Sequence, residues 1–206
     1  TWSLMGVERK EPDCSLDSMK ADFTNEGGYD HRYRYLRNIM GLWMIQSVKK
    51  ELTEDLSFGE ICALAAKESI SSIVDCNDES FMAPKSMTLA VQDYCRRTGQ
   101  QVPETTGEIA AVIYNSLAKC YADTLAQLER MTGKYYDTVY VVGGGSKAGY
   151  LNELTAKYTG RRVSAGPTEA TAIGNVTVQM LSDGIFPDLD EARACIRESF
   201  EIEIYG

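Results

Sequence analysis

The fold class follows from residues 139–156, VYVVGGGSKAGYLNELTA. Four β-prone residues run directly into three glycines and a serine, and the sequence then takes on helical spacing. Glycines that follow a strand and precede a helix lie at the carboxyl end of the sheet, where ligands bind in open α/β folds. This order of elements predicts a ligand site at residues 143–146.

The segments around this stretch predict an α/β layer. A long helix is predicted over 106–133, where one apolar stripe runs from Ile109 to Leu128 and Gly133 ends the helix. The elements predicted after it are a strand over 137–142, a helix over 147–159, a strand over 161–164, and helices over 168–182 and 189–198. Strands that alternate with helices predict parallel pairing in one sheet.

The first half of the chain has weaker signals. Ser57 and Glu60 stand at the spacing of a helix-capping box. The elements predicted here are a strand over 1–8, a polar loop over 9–19, a turn at 25–28 inside a mixed segment over 23–36, a helix over 38–52, a capped helix after residue 57, an irregular stretch over 69–85 and a helix over 86–99.

Composition excludes several classes of function. The formal net charge of −9 over 206 residues argues against nucleic acid or an acidic membrane as the main partner. No run approaches 18 apolar residues, so the sequence predicts no membrane-spanning helix. Six cysteines without a CxxC pair and one histidine, His31, argue against a structural zinc site. Reduced thiols in a cytoplasmic protein are the expectation.

The start of the chain predicts a missing neighbour. Residues 1–3 read Thr-Trp-Ser with no methionine, and the predicted first strand already begins at residue 1. We therefore expect this sequence to be a piece of a longer protein.

Four hypotheses for the glycine loop follow from its residues. A Walker loop is excluded because no hydroxyl residue follows Lys147. A dinucleotide fingerprint matches formally at Gly143, Gly145 and Ala148, but no acidic residue ends the next strand. An adenosine loop would use bare backbone to let a nucleotide lie flat, since a Cβ would hold the ligand away. The fourth hypothesis is a tight turn between strand and helix that binds no ligand.

Several stretches together resemble the carboxyl half of the FGGY carbohydrate kinases. They are TWSLMGVE at 1–8, TNEGG at 24–28, RYLRNIMGLWMIQ at 34–46 and the segment from the glycine loop through ATAIGN to residue 179. The resemblance runs from residue 1 to about 182. It implies a single domain over 1–206 with the actin-like ATPase (ribonuclease H-like) fold, an α/β domain with a mixed sheet flanked by helices.

The resemblance also implies a function. FGGY kinases bind ATP, with Mg²⁺, and a sugar in a cleft between two such domains, and this chain resembles the second, nucleotide-holding domain. The stretch NIMGLW at 38–43 resembles the branch that phosphorylates L-rhamnulose at its 1-hydroxyl in rhamnose catabolism. The other branches act on xylulose, ribulose, fuculose, gluconate or glycerol. A non-catalytic actin-like module and a dinucleotide binder are the competing hypotheses.

Site residues are carried over from the family position by position. Thr1, Gln46 and the loop Gly143, Gly144, Gly145 and Ser146 fall on its ATP contacts, and Asn38 falls on its sugar site. An amide suits a sugar because it both donates and accepts hydrogen bonds. The predicted helix over 38–52 would place Asn38 and Gln46 about two turns apart on one face.

The catalytic base is expected outside this chain. In the family it is an aspartate just upstream of the Thr-Trp-Ser stretch, within the domain that this sequence lacks. Phosphoryl transfer depends on positioning and charge stabilisation. The chain alone is therefore expected to be inactive.

Overall fold

The computed structural model describes residues 2–206. The chain divides into two compact units, Thr1–Tyr135 and Tyr136–Gly206. Each unit is described by itself below. Whether the chain behaves as the single domain expected from the sequence stays a prediction.

The first unit contains a three-stranded antiparallel sheet. Its strands are β1 (Ser3–Arg9), β2 (Thr24–Gly27) and β3 (Tyr33–Ile39), in the order β1-β3-β2. The register places Leu4 opposite Asn38 and Gly6 opposite Leu36. The central strand β3 contributes Tyr35 and Ile39 to the core, both fully buried.

Five helices complete the first unit: α1 (Leu16–Lys20), α2 (Trp43–Glu51), α3 (Phe58–Ala65), α4 (Met87–Arg97) and α5 (Thr106–Thr132). The capping box predicted at Ser57 and Glu60 is confirmed, and Thr105 and Glu108 form a second one at the start of α5. Gly133 ends α5 in the left-handed conformation at φ 65°, as glycine does at helix C-termini.

The sequence prediction was wrong over residues 23–42. The mixed segment is the hairpin of β2 and β3, and the helix predicted over 38–52 begins at Trp43. Residues 38 and 39 extend β3 because they pair with Leu4 and Ser3 of β1, and the side chains of the strand alternate between two faces. Gly41, at φ 62°, then turns the chain into α2. The short helix α1 interrupts the loop predicted over 9–19.

The second unit contains a mixed three-stranded sheet and three helices. The strands β4 (Thr138–Val141) and β5 (Arg162–Ala165) are parallel, as predicted, and β6 (Glu203–Tyr205) pairs antiparallel with β5. The helices are α6 (Gly149–Thr159), α7 (Ala170–Ser182) and α8 (Leu189–Ser199). The strand β6 was not predicted.

Within residues 2–206, no helix combines the length and the apolar character that crossing a membrane requires.

Gly6 allows β1 and β3 to lie close together. A Cβ built on Gly6 would overlap the carbonyl oxygen of Tyr35 and lie 2.5 Å from the Cα of Leu36, whereas a Cβ on Gly27 would meet nothing within 4 Å. We expect Gly6→Ala to lower the free energy of unfolding by about 2 kcal/mol, because the strands must separate. Gly27→Ala is the matched control, and chemical denaturation compares the two. Equal stability of both variants would contradict the close approach.

Tyr121 connects α5 to the sheet and should make stability depend on pH. Its hydroxyl lies 2.7 Å from the Ser3 Oγ. Removal of the phenol from water raises the pKa of Tyr121 to about 12. The unfolded chain loses this proton near pH 10, whereas the folded chain keeps it, so the free energy of unfolding should fall as pH rises from 10 to 12.

The variant Tyr121→Phe isolates this group. From pH 9 to 11.5, the stability of the wild type should fall more steeply than that of Tyr121→Phe, by up to about 1.4 kcal/mol per pH unit. Chemical denaturation at a series of pH values measures both slopes. Parallel curves would show that the phenol titrates alike in the folded and unfolded states.

Candidate functional site

The glycine loop joins β4 to α6 through one short turn. Residues Gly143–Lys147 form a 3-10 turn directly after the strand, and α6 begins at Gly149. Gly143 has φ 75°, in the left-handed region that side chains with a Cβ rarely adopt. Glycine is therefore required at residue 143 for the backbone to turn at the end of β4.

Two backbone hydrogen bonds hold the loop against the turn that follows β5. The amide of Gly143 donates to the carbonyl oxygen of Pro167 over 3.0 Å, and the amide of Gly166 donates to that of Val141 over 2.8 Å. The carboxyl ends of two parallel strands are thereby joined. These hydrogen bonds fix the start of the loop at the carboxyl end of the sheet.

The side chain of Ser146 faces inward. Its hydroxyl donates to the Gly143 carbonyl over 2.8 Å and lies 3.2 Å from the Thr168 hydroxyl. Its own carbonyl accepts a 3.0 Å hydrogen bond from Nδ2 of Asn152. Ser146 is 7% exposed and Asn152 is 1% exposed. The hydroxyl is used within the chain, and a direct contact of Ser146 with ATP stays a prediction.

Gly144 is the exposed glycine of the loop. A Cβ built on it would meet no other atom within 4 Å, and its φ is not in the left-handed region. The backbone here faces open space, so a flat ring could lie directly against it. No side chain caps the N-terminus of α6, which starts five residues later. Bare backbone beside a helix N-terminus fits a nucleotide, because helix amides and the helix dipole favour anions.

The predicted sugar and second ATP contacts lie on different elements of the first unit. Asn38 is exposed near the end of β3, and Gln46 is half-buried in the first turns of α2. The expectation that both stand on one helix is wrong, because β3 continues to Ile39. The chain then turns at Gly41, which has a positive φ, before α2 begins. Thr1, the predicted phosphate contact, lies outside the described residues.

The arginines on and beside β3 are paired with acidic or amide groups. Arg32 lies 2.6 Å from Glu8, Arg34 lies 2.6 Å from Glu26, and an Arg37 nitrogen donates to Gln127 over 3.0 Å. These side chains therefore offer less free positive charge than the sequence suggests. Arg34 and Arg37 lie three residues apart on β3 and therefore point to opposite faces of the sheet.

The described residues do not build a metal centre by themselves. From residue 2 to 206, no three His, Cys, Asp or Glu side chains meet in a group that could hold a metal ion. Burial raises the pKa of Cys76 and of Cys120, which keeps both thiols protonated and unreactive.

A family model describes most of the chain. The model of the FGGY family of carbohydrate kinases, C-terminal domain, matches residues 1–182. The chain is 45% identical over 206 residues to a rhamnulokinase of Oceanobacillus iheyensis and 41% identical over 206 residues to one of Bacillus subtilis. It is covered completely in both comparisons, and it spans 44% and 42% of the lengths of these relatives.

Solved structures confirm the fold class. A xylulose kinase from Lactobacillus acidophilus superposes with a TM-score of 0.69 at 12% identity, covering 98% of this chain and 40% of that one. A Plasmodium falciparum glycerol kinase with ADP gives 0.65 at 15% identity, covering 99% and 40%. At these identities the likeness concerns the fold alone. The predicted actin-like ATPase fold, a mixed sheet flanked by helices, is confirmed.

Proposed function

The chain belongs to the FGGY family of carbohydrate kinases, and we propose that it is the ATP-binding half of a kinase that phosphorylates L-rhamnulose at its 1-hydroxyl in rhamnose catabolism. The observation that carries this proposal is the 45% identity to a rhamnulokinase along all 206 residues. The predicted stretch NIMGLW at 38–43 lies within that match.

The glycine loop supports ATP as the phosphoryl donor. The bare backbone at Gly143, Gly144 and Gly145 would receive the adenosine, and the uncapped start of α6 would face negative charge. Thr1 would donate its hydroxyl to a phosphate oxygen, and Gln46 would contact ATP from α2. These roles come from the family, and the open space at Gly144 is the structural feature that agrees with them.

Asn38 supports the sugar assignment through its exposure. It stands near the end of β3 on the same face as Arg34, with its side chain accessible. A carboxamide offers two donors and an acceptor, which matches the alternating hydroxyls of an open-chain ketose. Because the side chain is exposed, its carboxamide is accessible to a substrate.

Catalysis requires groups outside this chain. We propose that the general-base aspartate, which takes the proton of the sugar hydroxyl, and the first phosphate-binding hairpin belong to an N-terminal domain of the same protein. The chain spans less than half of the length of its rhamnulokinase relatives. Mg²⁺ is expected from the family, but residues 2–206 form no cluster of ligands for it, and we assign no step to it here.

The remaining properties follow from this assignment. We propose a single domain over residues 1–206, a cytoplasmic protein, and small-molecule partners, with neither nucleic acid nor membrane as a partner. The 206 residues alone should not turn over substrate. A non-catalytic nucleotide-binding module and a kinase for xylulose, ribulose or fuculose are the alternatives that experiment must separate.

A sugar panel tests the proposed function. The full-length protein should consume ATP with L-rhamnulose at a kcat/KM at least about tenfold above that with fuculose, ribulose or xylulose, because its hydrogen-bonding groups discriminate between hydroxyl patterns. A coupled assay of ADP release measures the rates. Equal rates with all four sugars would contradict the sugar assignment, and no ATP consumption with any of them would contradict the kinase assignment.

Asn38→Ala sharpens this test. The variant should lower kcat/KM for L-rhamnulose about tenfold or more while the fold remains intact, because the side chain is exposed. Arg34→Ala, on the same face of the same strand, is the matched control and should retain wild-type kinetics. The assignment of Asn38 fails if the two variants have the same kcat/KM.

A further inference from the structure

Asn152 connects the glycine loop to the C-terminal end of the chain. It lies on α6 and is 1% exposed. Its side-chain amide donates to the carbonyl of Ser146 inside the loop. The hydroxyl of Tyr205 lies close to the Asn152 side chain and donates to the carboxylate of Glu203. The Asn152 carboxamide is therefore placed between the loop and the last strand.

Residues 201–206 pack against β5, the start of α6 and the turn after β5, which adjoin the glycine loop. Through β6, Ala165 pairs with Glu203 and Val163 pairs with Tyr205. The Tyr205 hydroxyl would lie 3.4 Å from a Cβ on Gly149, the first residue of α6. The Glu201 carbonyl would lie 2.7 Å from a Cβ on Gly166, immediately before Pro167. The carbonyl of Pro167 accepts the hydrogen bond from the Gly143 amide.

These contacts meet the loop from two sides. On one side, Glu201 packs on the turn that holds Gly143. On the other, the Tyr205 hydroxyl lies against Gly149 at the start of α6, the helix that carries Asn152 and through it holds Ser146. The exposed Gly144 stands between the two supported residues and has no packing neighbour of its own on its open side. Its position therefore depends on these flanking hydrogen bonds. The family match ends at residue 182, so Tyr205 lies outside the part of the chain that the family model describes.

We propose that Asn152 and Tyr205 are positioning residues that hold the glycine loop in the shape that receives the nucleotide. This inference rests on the proposed function. Neither side chain is required to touch the ligand. Loss of the Asn152 amide would leave the buried Ser146 carbonyl without its donor, and the loop would sample other shapes. A ligand would then bind only the fraction of molecules in the competent shape, which weakens its apparent affinity.

The test uses the full-length protein with Asn152→Leu and Tyr205→Phe. Leucine branches at Cγ as asparagine does but carries no hydrogen-bonding atom, and phenylalanine removes only the hydroxyl. We expect Asn152→Leu to weaken MgADP binding in calorimetry, and to raise KM for ATP, about tenfold. Tyr205→Phe should have a smaller effect of about threefold. KM for the sugar should remain unchanged for both variants.

A second readout does not depend on activity. In the ligand-free protein, amide hydrogen exchange at residues 144–146 should become faster in Asn152→Leu, while exchange in β5 stays as in the wild type. Tyr158→Phe, on the same helix near its other end, is the matched control and should match the wild type in both measurements.

Three results would overturn the inference. Wild-type MgADP affinity in both variants would remove the positioning role and leave the proposed function standing. A lower melting temperature with unchanged MgADP affinity and unchanged loop exchange would assign the two residues a purely structural role. Absence of MgADP binding to the wild type itself would overturn the proposed function and this inference together.

Discussion

The hydrogen bond from the Gly143 amide to the Pro167 carbonyl determines the geometry of the second unit. It joins the carboxyl ends of two parallel strands, and it is possible because Gly143 adopts a left-handed φ of 75°. From that fixed point the chain makes one 3-10 turn and enters α6 with Gly144 exposed. A side chain at residue 143 would strain the turn, whereas one at residue 144 would only fill the space outside it. The first glycine thus serves the fold, and the second is the one that we propose for a ligand.

Much of this arrangement could be predicted from the sequence, because it depends on local signals. The capping box at Ser57 depends on residues only three apart in the chain. The parallel pairing of β4 and β5 follows from the order strand, glycine loop, helix, strand, which the sequence indicates directly. The first strand was predicted for the same reason. The identity of the loop could not be decided in this way, since a dinucleotide fingerprint, an adenosine loop and a turn without a ligand all matched the same glycines. It was the family resemblance that favoured the adenosine loop.

The features that escaped prediction depend on contacts between distant residues. Asn38 belongs to a strand because it pairs with Leu4 of β1, and nothing in residues 33–39 alone reveals that partner. The strand β6 has three residues and exists through its pairing with β5. Asn152 is one polar residue within the helix predicted over 147–159, and only the structure shows its hydrogen bond to the buried carbonyl of Ser146.

Titration calorimetry of the 206-residue chain with MgADP, and with NADH as a second ligand, tests most directly whether the loop binds a nucleotide. Gly144→Val is the informative variant, because its Cβ meets no protein atom and the fold should tolerate it. Gly27→Val, at another glycine with open space, is its control. We predict weak MgADP binding that Gly144→Val abolishes and Gly27→Val retains. MgADP binding that Gly144→Val leaves unchanged, or NADH binding in place of MgADP, would contradict the adenosine loop.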